Sequence, residues 1–112
     1  MHLACPEGMA TYQNPGPSRE EVDAEPGPML LDFGTAWCGH CQTAAPAVRE
    51  ALSQFPAVQH IAVEDGPGRR LGRSFGVKLW PTLIFLKDGV EIARLVRPTS
   101  SDIVLMALAR LG

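Results

Sequence analysis

The chain is short of several features that would place it in other classes of protein. Three cysteines in 112 residues are too few for the disulfide framework of a small secreted domain. No apolar run approaches the ~18 residues that a membrane-spanning helix needs. A formal net charge of -2 gives no electrostatic case for binding nucleic acid or a membrane surface. No stretch resembles a glycine-rich dinucleotide fingerprint, so no dinucleotide site is predicted.

The amino-terminal residues also lack an export signal. Residues 1–5 read Met-His-Leu-Ala-Cys and contain neither a basic region nor an apolar one, which favours a cytoplasmic protein. Cys5 lies in this segment, outside any motif. We interpret it as an exposed free thiol without a role; a regulatory or intermolecular thiol is the alternative.

Residues 1–28 are interpreted as an amino-terminal arm rich in proline and glycine, since they hold half of the 10 prolines. Within the arm, residues 18–21 read Ser-Arg-Glu-Glu and carry a capping box, which predicts a short helix over 18–24. Residues 9–13 are the only candidate for a strand in the arm. A single domain is predicted to follow over residues 29–112.

Hydrophobic periodicity gives the elements of that domain. A buried strand over 29–33 precedes a helix whose apolar stripe runs from Cys41 to Phe55. Asp88 and Gly89 supply a tight turn between the last two strands. The order predicts an α/β fold with a mixed central sheet between helical layers. The other predicted strands are 58–64, 82–86 and 90–96, and the other predicted helices are 69–75 and 103–111.

Two cysteines three residues apart stand where the first strand turns into this helix. Cys38 lies at the helix start, where unpaired backbone N–H groups and the positive dipole end favour a thiolate. Cys41 lies one turn later on the stripe that faces the core, so we expect it to be shielded. Their spacing brings the Cα atoms near the separation that a disulfide needs. An exposed, readily ionised thiol beside a sheltered one is typical of an attacking and a resolving cysteine.

The residues around this pair resemble the active site of the thioredoxin superfamily. Residues 37–41 read Trp-Cys-Gly-His-Cys, and the Cys-Gly-His-Cys form is typical of protein disulfide isomerase. Three further matches stand at the right separations: a buried acid before the motif (Asp32), a proline in the helix (Pro46) and a Trp-Pro-Thr loop (80–82). The resemblance covers roughly residues 29–112. It implies a thioredoxin-like fold and a thiol–disulfide oxidoreductase that acts on protein substrates.

The resemblance also implies a role for each matching residue. Cys38 attacks a disulfide and Cys41 resolves the mixed disulfide, so this redox-active pair needs no cofactor and no metal. Asp32 ends an apolar strand, which favours its neutral form, and it shuttles the proton of Cys41. Pro81 is the cis-proline that faces the disulfide, and it leaves the backbone of Trp80 free to pair with an extended substrate.

An apolar rim around Cys38 follows from the same resemblance. Trp37 and Trp80 would frame the rim, and Gly39 lies between the two cysteines; we interpret them with Pro81 as substrate-binding residues. Core packing is the alternative for Trp80.

His40 stands where thioredoxin itself usually has proline. An imidazole in the first helical turn can be partly cationic near neutral pH and can donate a hydrogen bond towards the Cys38 sulfur. Stabilising the thiolate makes the pair a stronger oxidant. Reference potentials run from about -270 mV for thioredoxin to about -180 mV for protein disulfide isomerase, which is about 4 kcal/mol for a two-electron couple. An exposed helix residue without a part in the chemistry is the alternative.

The chain departs from the family pattern at three positions. Gly34 stands where many relatives have an aromatic residue, and Ala62 stands near the place of a buried lysine that often partners the acid. Trp80 is a bulky choice before the cis-proline and narrows the substrate range. His60 and His2 are assigned no role.

Several functions remain open at this point. A monomeric reductase that draws electrons from a separate reductase or the glutathione pool suits the missing export signal, whereas an isomerase or oxidase suits Cys-Gly-His-Cys. A binding or assembly module would use the apolar last helix instead. A metal or cluster site at Cys38, His40 and Cys41 lacks a fourth ligand nearby in sequence.

One charged feature lies outside the motif. Arg69, Arg70 and Arg73 form a basic face on the short helix. A solvated helix surface is the main interpretation, and docking of an acidic partner is the alternative.

Overall fold

The structure, a computed structural model, describes residues 12–111. The elements follow the predicted order, and the mixed α/β fold is confirmed. They are α1 Arg19–Ala24, β1 Pro28–Gly34, α2 Gly39–Leu52, β2 Gln59–Glu64, α3 Arg70–Ser74, β3 Thr82–Lys87, β4 Val90–Val96 and α4 Ser101–Ala109.

Four strands form one sheet in the order β2-β1-β3-β4. β1 is central, parallel to β2 and antiparallel to β3, and β3 and β4 form a hairpin. Asp88 and Gly89 both have positive φ values, 51° and 79°, as the tight turn that joins twisted strands requires. The sheet therefore combines one crossover through α2 with one hairpin.

Side chains alternate along β1 between the two faces of the sheet. Met29, Leu31 and Phe33 belong to one buried cluster, which also holds residues of α1 and α3. Leu30 belongs to a second cluster, which holds residues of α2 and α4. Asp32 follows the phase of Leu30, so it lies on the α2 face of the sheet and is 5% exposed.

The segment before β1 contacts the sheet at Gln13 and contributes Val22 to the core. The predicted capping box is present: Ser18 N–H donates to Glu21 Oε1 at 2.8 Å, and Glu21 N–H donates to Ser18 Oγ at 3.1 Å. Val22 of α1 is buried in the first cluster. The strand predicted over 9–13 is seen, within the described residues, as an isolated parallel bridge between Gln13 and Val63. Cys5 and residues 9–11 lie outside the described residues.

Two of the predicted helices have different boundaries in the structure. α2 ends at Leu52, so Phe55 lies beyond it, although its side chain still packs on the second cluster. Phe55 precedes Pro56, and the proline ring disfavours helical backbone at the residue before it. The last helix begins two residues earlier than predicted and ends at Ala109.

Candidate active site

Cys38 is the N-cap of α2. Its backbone is extended (φ -78°, ψ 122°), and its sulfur accepts a hydrogen bond from Cys41 N–H at 3.3 Å. Both cysteines are free thiols. The predicted exposure of Cys38 is wrong, since only 8% of the residue is exposed. The sulfur turns back over the first helical turn, where it satisfies one of the N–H groups that a helix start leaves without a partner.

Cys41 lies one turn into α2 and is 4% exposed, as its place on the apolar stripe predicts. Burial raises the pKa of the Cys41 thiol to about 12, and a hydrogen bond with Cys38 adds to the rise. Hydrogen bonds from the Thr35 backbone and the Tyr12 side chain act in the opposite direction. Cys41 is therefore a thiol near neutral pH and needs a proton acceptor before it can attack.

Tyr12 occupies the space that Gly34 leaves open. A Cβ at position 34 would overlap the Cys41 sulfur and would lie 3.2 Å from the Tyr12 hydroxyl. Burial, followed by the charges of Asp32 and Cys41, raises the pKa of the tyrosine hydroxyl. A tyrosine from the segment before α1 thus lies beside Gly34, where the family resemblance leads us to expect an aromatic side chain. No pattern in the sequence connects residue 12 with residue 34, so sequence reasoning missed it.

His60 is the second residue that sequence reasoning missed. Its Nε2 lies 3.2 Å from Asp32 Oδ2, while the buried Asp32 Oδ1 has no partner within the part of the chain that the structure describes. In the register of β1 and β2, Asp32 pairs with Ala62 and Leu30 pairs with His60. Residues 60 and 62 are two apart in β2, so their side chains lie on the same face of the sheet. The imidazole therefore reaches the acid past the small side chain of Ala62.

A cavity of about 520 Å³ opens beside this acid–histidine pair. Asp32 and His60 line it together with apolar residues of α2, and Arg49 and Ser53 supply its other polar side chains. The His60 side chain is 30% exposed against 8% for that of Asp32. The imidazole therefore lies between the buried carboxyl and solvent.

The two tryptophans stand together at the surface. The ring centroids of Trp37 and Trp80 are 5.7 Å apart at an interplanar angle of 79°, an edge-to-face arrangement. Trp37 is 74% exposed. Trp80 is half-buried, and its indole N–H donates to Asp65 Oδ2 at 2.8 Å. The Trp80–Pro81 peptide bond is cis, and Pro81 is buried.

The backbone of Trp80 is only partly free. Its carbonyl accepts a hydrogen bond from Arg97 Nε at 2.9 Å, and Arg97 N–H donates to the Pro81 carbonyl at 2.9 Å. A carbonyl has a second acceptor position, so pairing with another chain remains open to it. No sequence pattern assigns Arg97 a role, because the contact depends on the path of the chain after β4.

The remaining predicted residues lie on the exposed side of α2. Gly39 and His40 are exposed in its first turn, and Pro46 is exposed further along the same helix. These positions are open to solvent beside the buried pair.

Residues 12–111 contain neither a metal site nor a membrane-spanning helix. No group of three or more His, Cys, Asp or Glu side chains in this range is arranged to hold a metal ion. Among the helices of the same range, none has the length and apolar character needed to cross a membrane.

A mixed sheet with a Cys-x-x-Cys pair at the start of the helix after its central strand defines a thiol–disulfide oxidoreductase. The Thioredoxin family model matches residues 13–109. The chain belongs to the thioredoxin family, and it is a thiol–disulfide oxidoreductase as the sequence predicts.

Solved structures and curated proteins give the same family. Thioredoxin 2 from Pseudomonas aeruginosa PAO1, in its reduced form, aligns with a TM-score of 0.82 and 55% identity over 91% of this chain and 94% of that chain. A thioredoxin of Chlamydia muridarum is 31% identical over 75% of this chain and 82% of its own length. Protein disulfide-isomerase A2 of Homo sapiens is 32% identical over 80% of this chain. The matches span 62% of a thioredoxin H-type of Oryza sativa subsp. indica and 22% of the human isomerase.

Proposed function

We propose that this chain is a thioredoxin-like reductase of protein disulfides, with Cys38 as the attacking and Cys41 as the resolving cysteine. The observation that carries the proposal is the position of Cys38 at the N-cap of α2. The buried Cys41 follows one turn later, and its backbone N–H donates a hydrogen bond to the Cys38 sulfur. The 55% identity to a bacterial thioredoxin over nearly the whole chain supports the direction of electron flow.

The reaction takes two exchange steps. The Cys38 thiolate attacks one sulfur of the substrate disulfide, the substrate S–S bond breaks, and the departing sulfur takes up a proton. Cys41 then attacks the Cys38 sulfur in the mixed disulfide, which releases the second substrate thiol and forms the Cys38–Cys41 disulfide. Two electrons pass to the substrate, and a separate reductase or the glutathione pool returns them.

The second step requires Cys41 to lose its proton, because its pKa is raised to about 12. We assign this transfer to Asp32, the buried carboxyl on the α2 face, as the family resemblance implies. His60 holds one oxygen of that carboxyl at 3.2 Å and is itself partly exposed. Because it contacts both the carboxyl and solvent, His60 gives the buried acid a path to solvent.

Trp37, Gly39, Trp80 and Pro81 are proposed to receive the substrate chain. The paired indoles offer an apolar surface next to the attacking cysteine. The free acceptor position on the Trp80 carbonyl offers a backbone hydrogen bond, while Pro81 contributes no N–H donor. The cytoplasmic location and the monomeric state stay predictions.

Replacement of Cys38 by serine tests the proposal against a non-catalytic binding module. We expect Cys38→Ser to abolish reduction of a peptide with an internal disulfide, whereas Cys41→Ser should retain the first step and accumulate a mixed disulfide that mass spectrometry detects. Full activity of Cys38→Ser would overturn the assignment and favour a binding role.

An isomerase or oxidase is the second candidate, because residues 38–41 read Cys-Gly-His-Cys and part of a protein disulfide isomerase matches the chain. In that case His40 would stabilise the Cys38 thiolate and favour the reduced pair. Equilibration against glutathione buffers separates the two. A potential near about -270 mV supports the reductase, and a value near about -180 mV supports the isomerase or oxidase.

A further inference from the structure

A shallow cleft of about 320 Å³ lies beside Trp80. Three of its lining residues are cations, namely Arg69, Arg73 and Lys78, and the only acid among them is Asp65. The cleft shares the Trp80 side chain with the apolar surface proposed to receive substrate. A chain that lies across the Trp80 end of that surface therefore comes next to the cations.

The acids close to these cations are already engaged. Asp65 accepts the indole N–H of Trp80 at 2.8 Å, and Glu64 pairs with Arg69 at 3.3 Å. Within residues 12–111, neither Arg73 nor Lys78 forms an ion pair, and both are exposed. Two positive charges beside the substrate surface are therefore left without a partner from the chain itself.

Arg97 brings a fourth cation to the same tryptophan. Its Nε donates to the Trp80 carbonyl at 2.9 Å, and the residue is exposed at the end of β4. A guanidinium has five N–H donors, so this bond leaves other donors for a carboxylate of a bound chain. The four cations Arg69, Arg73, Lys78 and Arg97, named here the basic rim, thus adjoin the residue before the cis peptide bond.

The charge of the basic rim is opposite to that of the whole chain. The basic rim has four cations, and the acids close to it are two, Asp65 and Glu64, both of which are engaged. The whole chain, in contrast, carries a formal net charge of -2. A concentration of one sign beside a site steers partners of the other sign and raises their association rate. From the sequence, Arg69, Arg70 and Arg73 are interpreted mainly as a solvated helix surface. The structure shows that Arg69 and Arg73 line a cleft together with Trp80.

We propose that the basic rim binds acidic residues that flank the target disulfide of a protein substrate. The proposal rests on the proposed reductase function and names the substrate class of the same site. The carboxylates would meet Arg73 and Lys78 in the cleft and Arg97 beside the Trp80 carbonyl, while the disulfide lies against Cys38.

Three peptides with the same internal disulfide test the proposal, flanked by glutamate, by glutamine or by lysine. We expect kcat/KM for the acidic peptide to exceed that for the neutral one by about tenfold at low ionic strength. The preference should shrink towards unity at ~0.5 M salt, where the Debye length falls below ~5 Å.

Charge reversal locates the effect. Arg73→Glu with Lys78→Glu should remove or invert the ratio of the acidic to the neutral peptide, and the milder pair Arg73→Gln with Lys78→Gln should lower it partway. Lys87→Glu with Arg110→Glu makes the same change in net charge at exposed residues outside the cleft, and should keep the ratio.

The outcomes separate the two proposals. Reduction of all three peptides at equal rates, or an equal loss of preference in both charge-reversed pairs, overturns the basic rim and leaves the reductase in place. Failure of the native protein to reduce any of the peptides overturns the reductase itself.

Discussion

Cys41 shows how the surroundings of one residue divide the work of a thiol pair. Both cysteines are buried, but Cys38 is the N-cap of α2, whereas Cys41 faces the core beside Gly34 and Tyr12. A buried thiol favours its neutral form, because transfer of a thiolate out of water costs free energy. The resolving step therefore depends on a proton acceptor, while the attacking step starts at the helix terminus.

Alkylation against pH tests this difference. A pKa raised to about 12 means that the Cys41 thiolate appears only as the pH rises towards that value, and at pH 8 about one molecule in ten thousand carries it. We expect iodoacetamide to modify Cys41 of Cys38→Ser at pH 8 at least a hundredfold more slowly than a model thiol with a pKa of about 8.5. Alkylation at the model rate would show that Cys41 is neither buried nor shifted.

His60 is the residue whose role changes most between sequence and structure. Removing the imidazole in His60→Ala leaves Asp32 buried without its 3.2 Å partner. We expect the resolution of the mixed disulfide to slow roughly tenfold, less than the 10²–10⁴-fold that a proton-transferring group typically contributes. Stopped-flow release of substrate across pH 6 to 9 measures it.

The matched control for His60 is its exposed neighbour Gln59. Gln59→Ala should leave both the rate and its pH dependence unchanged, and His60→Gln should recover only part of the rate, because it restores a hydrogen-bond donor to the carboxyl without an imidazole. An unaltered pH profile in His60→Ala would assign the imidazole a structural role only.

At the scale of elements, the hairpin turn connects two distant parts of the chain. Gly27 N–H donates to Asp88 Oδ1 at 2.7 Å, and Asp88 N–H donates to the Gly27 carbonyl at 3.0 Å. A Cβ on Gly89 would overlap the Asp23 backbone carbonyl at the end of α1. The β3–β4 turn thus packs against the loop that leads from α1 into the central strand.

Paired glycine substitutions measure that contact. Gly89→Ala should lower the free energy of unfolding by about 2 kcal/mol or more, because it adds an overlap with Asp23 to the cost of a positive φ. Gly27→Ala has a similar φ of 84° and an open space around it, so only the backbone cost of about 1 kcal/mol applies. Urea unfolding of both variants gives the comparison. Equal losses would contradict the contact.

At the scale of the whole molecule, two clusters on opposite faces of one sheet hold the fold together. The cluster on the α1 and α3 face includes Val22, which is 1% exposed. The interpretation of residues 1–28 as an arm separate from the domain stays a prediction. Because Val22 of α1 lies in the core, we expect this part of the arm to unfold together with the sheet.

Substitution of Val22 tests how the arm is coupled to the domain. Val22→Ala removes two buried methyl groups and should cost about 2 kcal/mol within a single unfolding transition, with an unchanged dependence on denaturant. Glu20→Ala on the exposed side of α1 should change stability by less than about 0.5 kcal/mol. Loss of α1 in a separate early transition would support an independent arm instead.

Local patterns were sufficient for the elements and for the central pair. The apolar run of β1, the capping box at Ser18 and the Asp88–Gly89 turn each depend on neighbouring residues, and each is confirmed. The end of α2 differs from the prediction, because Phe55 continues the apolar stripe although Pro56 disfavours helical backbone at Phe55. Periodicity records which face is apolar, and it does not record where the backbone stops being helical.

By itself, the sequence determined that a Cys-x-x-Cys pair begins a helix after a buried strand, since those relations span a few residues. Only the tertiary structure decided which side chains surround the pair: Tyr12 beside Cys41, His60 on Asp32 and Arg97 on the Trp80 carbonyl. These contacts join positions 17 to 29 residues apart in the chain. They arise from strand register and from the path of loops across the sheet, which no local pattern of residues specifies.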